Sequence, residues 1–370
     1  MKILHTDTDD LENPLRGGQP VRTYQINARL AQEHEITVLT ATYPNCVRQK
    51  IRAGILYRRL GIRVPGWGLS PHLSYLACLP NAVRHIPHDL LVEEFTPPVG
   101  FCMLPWWTRK PVISMVQWFF FRDWERRYKL PFEKIMRALG QRGAYRNFIV
   151  QTAHMGDYFR ELLPQSNIWT VPCGIASDAF HASTGEGDYA LFLGRLDVNH
   201  KGLDFLIEAW RKLASSGIRI PLKIVGAGPA DIWLREQINR HQLGGLIEMV
   251  GRVEGAGKEA WLHGCRFLVM PSRQETFGLT ALEAMAVSRP VLAFDIDHLN
   301  EVVRPAWGEL AKLGDAEDLA RRAANLWQHP AYAKALGECG YTQAQAYHWD
   351  AIAKRQAAIY QEVVCMERST

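Results

Sequence analysis

The chain has 370 residues, 47% of them apolar and 22% charged, a balance that suits a folded protein and argues against a disordered one. At roughly 100–200 residues per domain this length predicts two domains, each able to bury a core. The formal net charge of +5 suits acidic partners such as phosphates or anionic lipid head groups, and lies below the basic density of a nucleic-acid protein.

Cys46, Cys78, Cys102, Cys173, Cys265, Cys339 and Cys365 are scattered and form no C-x-x-C pair. Neither a disulfide framework nor a zinc site is expected; they read as small buried hydrophobes in a reducing compartment. Met1–Asp10 lacks the apolar run of a signal peptide. The most apolar long stretch, Pro111 to Phe121, is shorter than the roughly 20 residues that span a bilayer. A cytoplasmic protein is expected, peripheral at most to the inner membrane face.

In chain order, Ile3-Leu4, Ile36–Thr40, Asp89–Val92, Val112–Val116 and Phe148–Val150 are short β-rich runs bounded by polar or turn residues, as buried parallel strands are. Val21, Tyr24, Ala28 and Ala31 recur at helical spacing between the first two, giving one βαβ unit. The stretch Leu56 to Pro80, with its Arg-Arg pair and Pro-Gly-Trp-Gly, follows neither pattern and is expected to be a long loop. A turn-rich polar segment over residues 172–188 marks a domain boundary. The pattern then restarts, with strands expected at Ala190–Leu193, Leu222–Val225, Ile247–Val250, Phe267–Met270 and Pro290–Phe294. Two successive open α/β sheets follow: residues 1–172 as one domain and 173–348 as a second, with a closing helix over about 349–370 returning to the first.

Five strand ends carry chemistry, four of them in the second sheet. Arg16-Gly17-Gly18-Gln19-Pro20 sits between the first strand and its helix, where glycines admit a ligand and a helix N-terminus favours anions. It is not G-x-G-x-x-G, and no acidic reader of a nicotinamide ribose follows, which argues against a dehydrogenase. Gly194-Arg195 and Lys201-Gly202 flank a strand-to-helix loop. Two cations there suit a diphosphate, Arg as a planar fork and Lys as a compact charge. Pro271-Ser-Arg-Gln-Glu275-Thr-Phe277-Gly278-Leu279-Thr-Ala-Leu-Glu283 is the most specific segment. A helix is expected to start near Thr276 to Gly278, with Glu283 about two turns along it. Its two carboxylates are spaced too widely for acid–base work on one bond and suit separate parts of an extended ligand. Gly226-Ala-Gly228-Pro229 and Gly251-Arg252-Val253 end two more strands. Open α/β sheets bind ligands at such ends, and a ligand needing cations and hydroxyl acceptors together is a nucleotide diphosphate sugar. Asp7-Thr-Asp9 has D-x-D spacing but reads as a solvated loop.

With these motifs, and with Leu282-Glu-Ala-Met-Ala, Pro290-Val and Tyr347-His-Trp-Asp, the chain resembles the retaining glycosyltransferases of family 4. The resemblance implies the GT-B fold, two Rossmann-like domains facing an interdomain cleft, and transfer of a sugar from a UDP- or GDP-linked donor to an acceptor hydroxyl of a glycan or lipid-linked acceptor, with no metal or other cofactor. It implies that Arg195 and Lys201 bind the diphosphate and stabilise the departing charge, that Glu275 with the backbone of Phe277, Gly278 and Leu279 holds the transferred sugar, and that Glu283 holds the ribose. Val253 would contact the base through its backbone, Gly18 would approach the diphosphate, and Gly17 and Gly226 would also bind substrate. The family's histidine after the fifth strand has no counterpart: Gln117 stands there and can hydrogen-bond but not titrate. That departure leaves a non-catalytic nucleotide-sugar-binding scaffold as the alternative; a sugar-nucleotide epimerase of the same fold is disfavoured by Phe-Gly-Leu and E-x7-E. Trp106-Trp107 and Trp118–Trp124 offer aromatic faces for sugars or a core. The basic run from Arg122 to Arg146 suggests contact with an anionic membrane.

Overall fold

The computed structural model describes residues 1–13, 18–64, 70–95, 102–117, 125, 129, 131–141, 143, 145–183, 185–253 and 255–368. Gly17, the Pro-Gly-Trp-Gly segment, Trp118–Trp124 and several arginines of the basic run lie outside them. Two compact units are present: Met1–Cys173 with Trp349–Thr370, and Gly174–His348.

The first unit is built on β1 (Lys2–Thr6), α1 (Gln19–Leu30), β2 (Glu35–Ala41), β3 (Gln49–Arg52), β4 (Ile55–Leu60), α2 (Ser70–His85), β5 (Leu90–Glu94), β6 (Val112–Met115), α3 (Phe132–Gln141), β7 (Asn147–Val150), α4 (Ala153–Leu162) and β8 (Asn167–Thr170). Its eight strands lie in the order β3-β4-β2-β1-β5-β6-β7-β8, all parallel except the β3–β4 hairpin. Ile3, Leu4, Val38, Leu39, Leu91, Val92 and Ile113 are almost fully buried, as a parallel sheet covered on both faces requires. Thr152 caps α4 by accepting from the Met155 N–H at 3.2 Å.

The second unit contains β9 (Tyr189–Leu193), α5 (Val198–Lys201), α6 (Leu203–Ser215), β10 (Leu222–Val225), α7 (Asp231–Arg240), β11 (Ile247–Gly251), α8 (Ala256–Gly264), β12 (Cys265–Met270), α9 (Leu279–Ala286), β13 (Val291–Phe294), β14 (Glu309–Ala311), α10 (Ala316–Gln328) and α11 (Pro330–Ala344). The strand order is β11-β10-β9-β12-β13-β14, parallel throughout. This is the doubly wound order, and the chain reverses direction across the sheet between β9 and β12, which opens a crevice at their C-terminal ends. Trp210 of α6 is fully buried, and its indole N–H donates to the Ile220 carbonyl at 2.9 Å, so burying the ring leaves no orphan donor. The last helix, α12 (Trp349–Arg368), belongs to the first unit and packs on α1, where the buried Arg22 guanidinium donates to Gln356 at 2.8 Å.

Three sequence expectations need correction. The stretch from Leu56 is not a long loop: it completes β4, and Ser70–His85 is a helix that accommodates Pro80. Arg59 sits inside β4 because it is paired with Asp10, both side chains being almost fully buried. Asp7 is not solvated: it is 1% exposed, accepting from Thr23 at 2.7 Å and from Gln19 at 2.9 Å. The cysteines form no disulfide, but only Cys173 and Cys265 are buried; Cys78, Cys339 and Cys365 are exposed.

Candidate active site

Arg195 and Lys201 lie on the connection that follows β9, and Glu275 on the one that follows β12, so the motif residues flank the reversal of the second sheet. Asp197 organises the first loop. It caps α5 by accepting from the His200 N–H at 3.0 Å, and its other oxygen meets the His200 ring at 3.0 Å and Arg195 at 3.3 Å. Partial burial works to raise its pKa, but the His200 bonds and Arg195 outweigh that and hold the carboxyl below the usual carboxylate range. Arg195 remains 63% exposed, so most of its hydrogen-bonding fork faces solvent.

The two loops are joined backbone to backbone. Gly202 has φ +62°, and a Cβ there would lie 1.8 Å from the Pro271 carbonyl oxygen, so only glycine fits. Arg273 reinforces the junction: its guanidinium donates to both oxygens of Asp204, at 2.8 and 2.5 Å, and to the Val198 carbonyl at 2.9 Å. Its backbone N–H donates to the His200 carbonyl at 2.9 Å. Across this junction the Lys201 ammonium donates to Glu275, whose same oxygen accepts from the Ser272 hydroxyl at 2.9 Å.

The β10 turn is tied in similarly. Gly226 approaches the Gly194 carbonyl so closely that a Cβ would stand 1.8 Å from its oxygen. The Leu196 and Ala227 backbones bond at 3.0 Å. After β11, Val253 lies against Gly257 at the start of α8, where a Cβ would meet its methyl at 2.5 Å.

Helix α9 begins at Leu279, one residue beyond the expected range, with Gly278 as its N-cap at φ +93°. Glu283 is therefore the fifth helical residue, just over one turn in rather than about two, and Glu275 lies in the preceding loop. Gly278 offers no side-chain cap, so the first-turn N–H groups of α9 are not taken by one. Phe277 is buried and packs edge-on against Tyr347 with ring centroids 6.1 Å apart, which anchors the Phe277–Leu279 backbone.

Glu283 does not share a partner with Glu275. It accepts from Lys258 of α8 at 2.6 Å. Lys258, Asp197, Ser272 and Arg273 were not singled out in the sequence. Lys258 had a usable signal, a lysine directly behind a strand-end glycine turn, as Lys201 stands beside Gly202. Asp197 had the capping-residue signal before His200; Ser272 and Arg273 act through loop partners that no local pattern announces.

In the first unit, Gly18 is the N-cap of α1 and carries no side-chain cap. Gln117 follows β6 and is 6% exposed. Its carbonyl oxygen accepts from the Gln151 amide at 3.5 Å, while its own Nε2 has no hydrogen-bond partner among the described residues. A buried amide donor left this way is costly. Gly17 lies outside the described residues.

Comparison with known proteins bears on both units. The Glycosyltransferase Family 4 model matches residues 16–179, and the Glycosyl transferases group 1 model matches residues 187–329. Each unit thus matches a glycosyltransferase domain, on an architecture of the GT-B class. It is 32% identical over 181 residues to an uncharacterised glycosyltransferase of Methanocaldococcus jannaschii, covering 48% of this chain and 50% of that protein. It is 30% identical over 204 residues to the phosphatidyl-myo-inositol mannosyltransferase of Mycobacterium leprae, covering 52% of this chain and 53% of that one. The chain thus spans about half the length of these curated relatives. In fold it is similar to the sucrose-phosphate synthase of Thermosynechococcus elongatus, with a TM-score of 0.80 at 21% identity over 99% of each chain. A protein of Anabaena solved with UDP and glucose gives a TM-score of 0.76 at 16% identity, over 97% of this GT-B chain and 99% of that one.

Proposed function

We propose that this chain is a retaining glycosyltransferase of family 4 that moves a sugar from a UDP- or GDP-linked donor to an acceptor hydroxyl of a glycan or lipid-linked acceptor. The observation that carries the reading is the Lys201–Glu275 pair, which puts a cation and a hydroxyl acceptor together at the sheet reversal, just ahead of the uncapped first turn of α9.

In this reading Lys201 and Arg195 take the donor diphosphate. Arg195 is free to turn because it is largely exposed, and Glu275 keeps the Ser272 hydrogen bond when Lys201 turns to phosphate. The bond from the anomeric carbon to the phosphate oxygen breaks, and its electron pair leaves on the nucleoside diphosphate. The acceptor oxygen bonds to that carbon, and its proton passes to the departing phosphate. The two cations and the α9 N–H groups stabilise the charge as it develops, the kind of preorganised electrostatic aid that supplies much of enzymatic rate enhancement. Glu275 and the Phe277–Leu279 backbone hold hydroxyls of the transferred sugar. Glu283 binds the ribose, and Gly226 and Val253 lie along the nucleotide. From the first unit, Gly17 and Gly18 are assigned to the diphosphate and the Gln117 amide to an oxygen of the sugar. The Methanocaldococcus and Mycobacterium relatives support transfer chemistry, and the Anabaena neighbour supports a uridine nucleotide as donor.

The test is incubation with a panel of UDP- and GDP-sugars and saccharide acceptors, reading nucleoside diphosphate release and the anomeric configuration of the product by NMR. K201A and E275A are expected to slow release by about 100-fold or more. Unchanged turnover in both variants would remove the residue assignment, and donor binding without release for any acceptor would favour the scaffold alternative. Peripheral contact with an anionic membrane from the cytoplasmic side belongs to the same proposal. Lys129, Lys134, Arg137 and Arg146 are its described residues, and co-sedimentation with anionic vesicles reads it.

A further inference from the structure

At the opposite edge of the first sheet from Gly18 and Gln117, beside the N-terminal ends of β5 and β6, Trp106 and Trp107 stand on a short 3-10 turn, Leu104–Trp107. They are 64% and 42% exposed, an unusual position for the two largest apolar side chains in tandem. A groove of about 710 Å³ runs beside them, with Arg84, Arg109, Lys110 and Lys2 along its walls together with one acid, Asp89, whose carboxylate accepts from the Lys2 backbone N–H at 2.7 Å. Trp106 also borders a second hollow of about 290 Å³ that Arg146 helps to line.

The wall that carries these groups is built. His88 is 8% exposed, and burial holds its pKa below the ordinary histidine value, so it is neutral. Its Nδ1–H donates to the Ile86 carbonyl at 2.7 Å, which leaves Nε2 to accept from the Thr108 hydroxyl at 3.0 Å. Thr108 Oγ1 in turn accepts from the Lys110 N–H at 3.0 Å. The turn and the two cations after it are thus tied to the segment leading into β5. Leu104 beneath them is fully buried in the core formed with Leu79, Val83 and Leu91.

We propose that this groove is a saccharide-binding site, distinct from the transfer site, that takes an anionic glycan chain. Indole faces stack on the apolar faces of sugar rings, and guanidinium and ammonium groups pair with carboxylate, sulfate or phosphate substituents. Two further points favour a glycan over a lipid surface. The feature is concave, with a volume in the range of ligand sites, and the charged side chains wall the groove instead of forming a flat collar around a protruding apolar tip. A chain held there stays tethered while its end is extended, which raises the effective concentration of acceptor.

The experiment titrates the full chain with a polyuronate oligosaccharide, a neutral glucan oligosaccharide of equal length, and vesicles of phosphatidylglycerol and phosphatidylcholine. Intrinsic tryptophan fluorescence and calorimetry are the readouts. The polyuronate is expected to bind with a fluorescence change and more weakly as salt rises, the neutral glucan to bind at least about tenfold more weakly. W106A and R109A/K110A are each expected to weaken polyuronate binding about tenfold or more. Their turnover of donor with a short acceptor is expected to stay at the wild-type rate, which separates this site from the transfer reaction. Binding to vesicles only, binding of neither saccharide, or undiminished polyuronate binding by both variants overturns the proposal. A matching circular dichroism spectrum and melting temperature exclude loss of fold as the cause of weakened binding.

Discussion

Lys201 and Glu275 are ion-paired across two loops whose backbones meet at Gly202 and Pro271. The pair therefore depends on a position with no side chain. G202A places a Cβ 1.8 Å from a carbonyl oxygen and adopts φ +62°, so both loops must shift. A loss on the order of 2–3 kcal/mol is expected, with a melting temperature lower by several degrees. Donor turnover should fall further than stability explains, because a displacement of about 1 Å at a catalytic group costs roughly 100-fold. Thermal melts beside steady-state kinetics check this; full activity in a destabilised variant would separate the junction from the chemistry.

Glu283 and Lys258 are expected to affect binding more than chemistry. Glu283 is assigned to the ribose, remote from the reacting carbon, and Lys258 holds its carboxylate at 2.6 Å. E283A should raise the donor KM by about tenfold with kcat lowered much less, the pattern of an interaction made equally in ground and transition states. K258A should move KM in the same direction by a smaller factor, and K258R should restore part of it. A kcat collapse in E283A with unchanged KM would place Glu283 at the reacting bond instead.

The architecture was legible because buried parallel strands are short apolar runs and the glycine turns fall at their ends. Most elements of the second unit follow that rule, so Arg195, Lys201 and Glu275 were assigned to strand ends directly and Glu283 to the helix that follows one of them. What escaped was every feature that depends on a distant partner. Arg58-Arg59 reads as a loop until Asp10 is found against Arg59, and Asp7 reads as solvated until Thr23 and Gln19 close on it. The start of α9 slipped one residue because Gly278, in the left-handed region, ends the loop there. The pairing of the two glutamates with different lysines, Lys201 and Lys258, is a tertiary fact that spacing cannot encode.

Glu93 is the clearest source of pH-dependent stability. It is fully buried on β5, and desolvation pushes its carboxyl up to about 8, against a smaller lowering from the Tyr145 hydroxyl. The folded state thus keeps a proton that the unfolded state, near the ordinary glutamate value, releases. Between about pH 4.5 and pH 8 the native form binds more protons, so stability falls as pH rises through that window and levels off above it. E93Q keeps the neutral shape at every pH. Relative to wild type it should be stabilised at pH 8.5 by a few kcal/mol on an order-of-magnitude basis and be near neutral at pH 4.5. Melting curves across that range read the difference, and a gap that does not widen with pH would show that Glu93 titrates normally.

Arg59 and Asp10 supply the last prediction, because their pair holds the segment that runs from β1 toward the glycines at 17 and 18. The Arg59 Nε donates to Asp10 at 2.8 Å, and a second guanidinium nitrogen donates to Glu12 at 3.1 Å. Asp10 also accepts from Thr40 at 3.0 Å and from the Glu12 N–H at 2.8 Å. Removing the arginine leaves an almost fully buried carboxylate without its counter-charge, while the exposed Lys50 keeps Glu12 paired. R59A should therefore cost about 3–5 kcal/mol, the range for breaking a buried pair from one side. R59A/D10N, which also removes the stranded charge, should recover a measurable part of that loss despite carrying one more substitution. Denaturant unfolding of the two variants decides it. If the double variant is the less stable, the penalty of R59A comes from the cavity left by the guanidinium and not from the orphaned carboxylate.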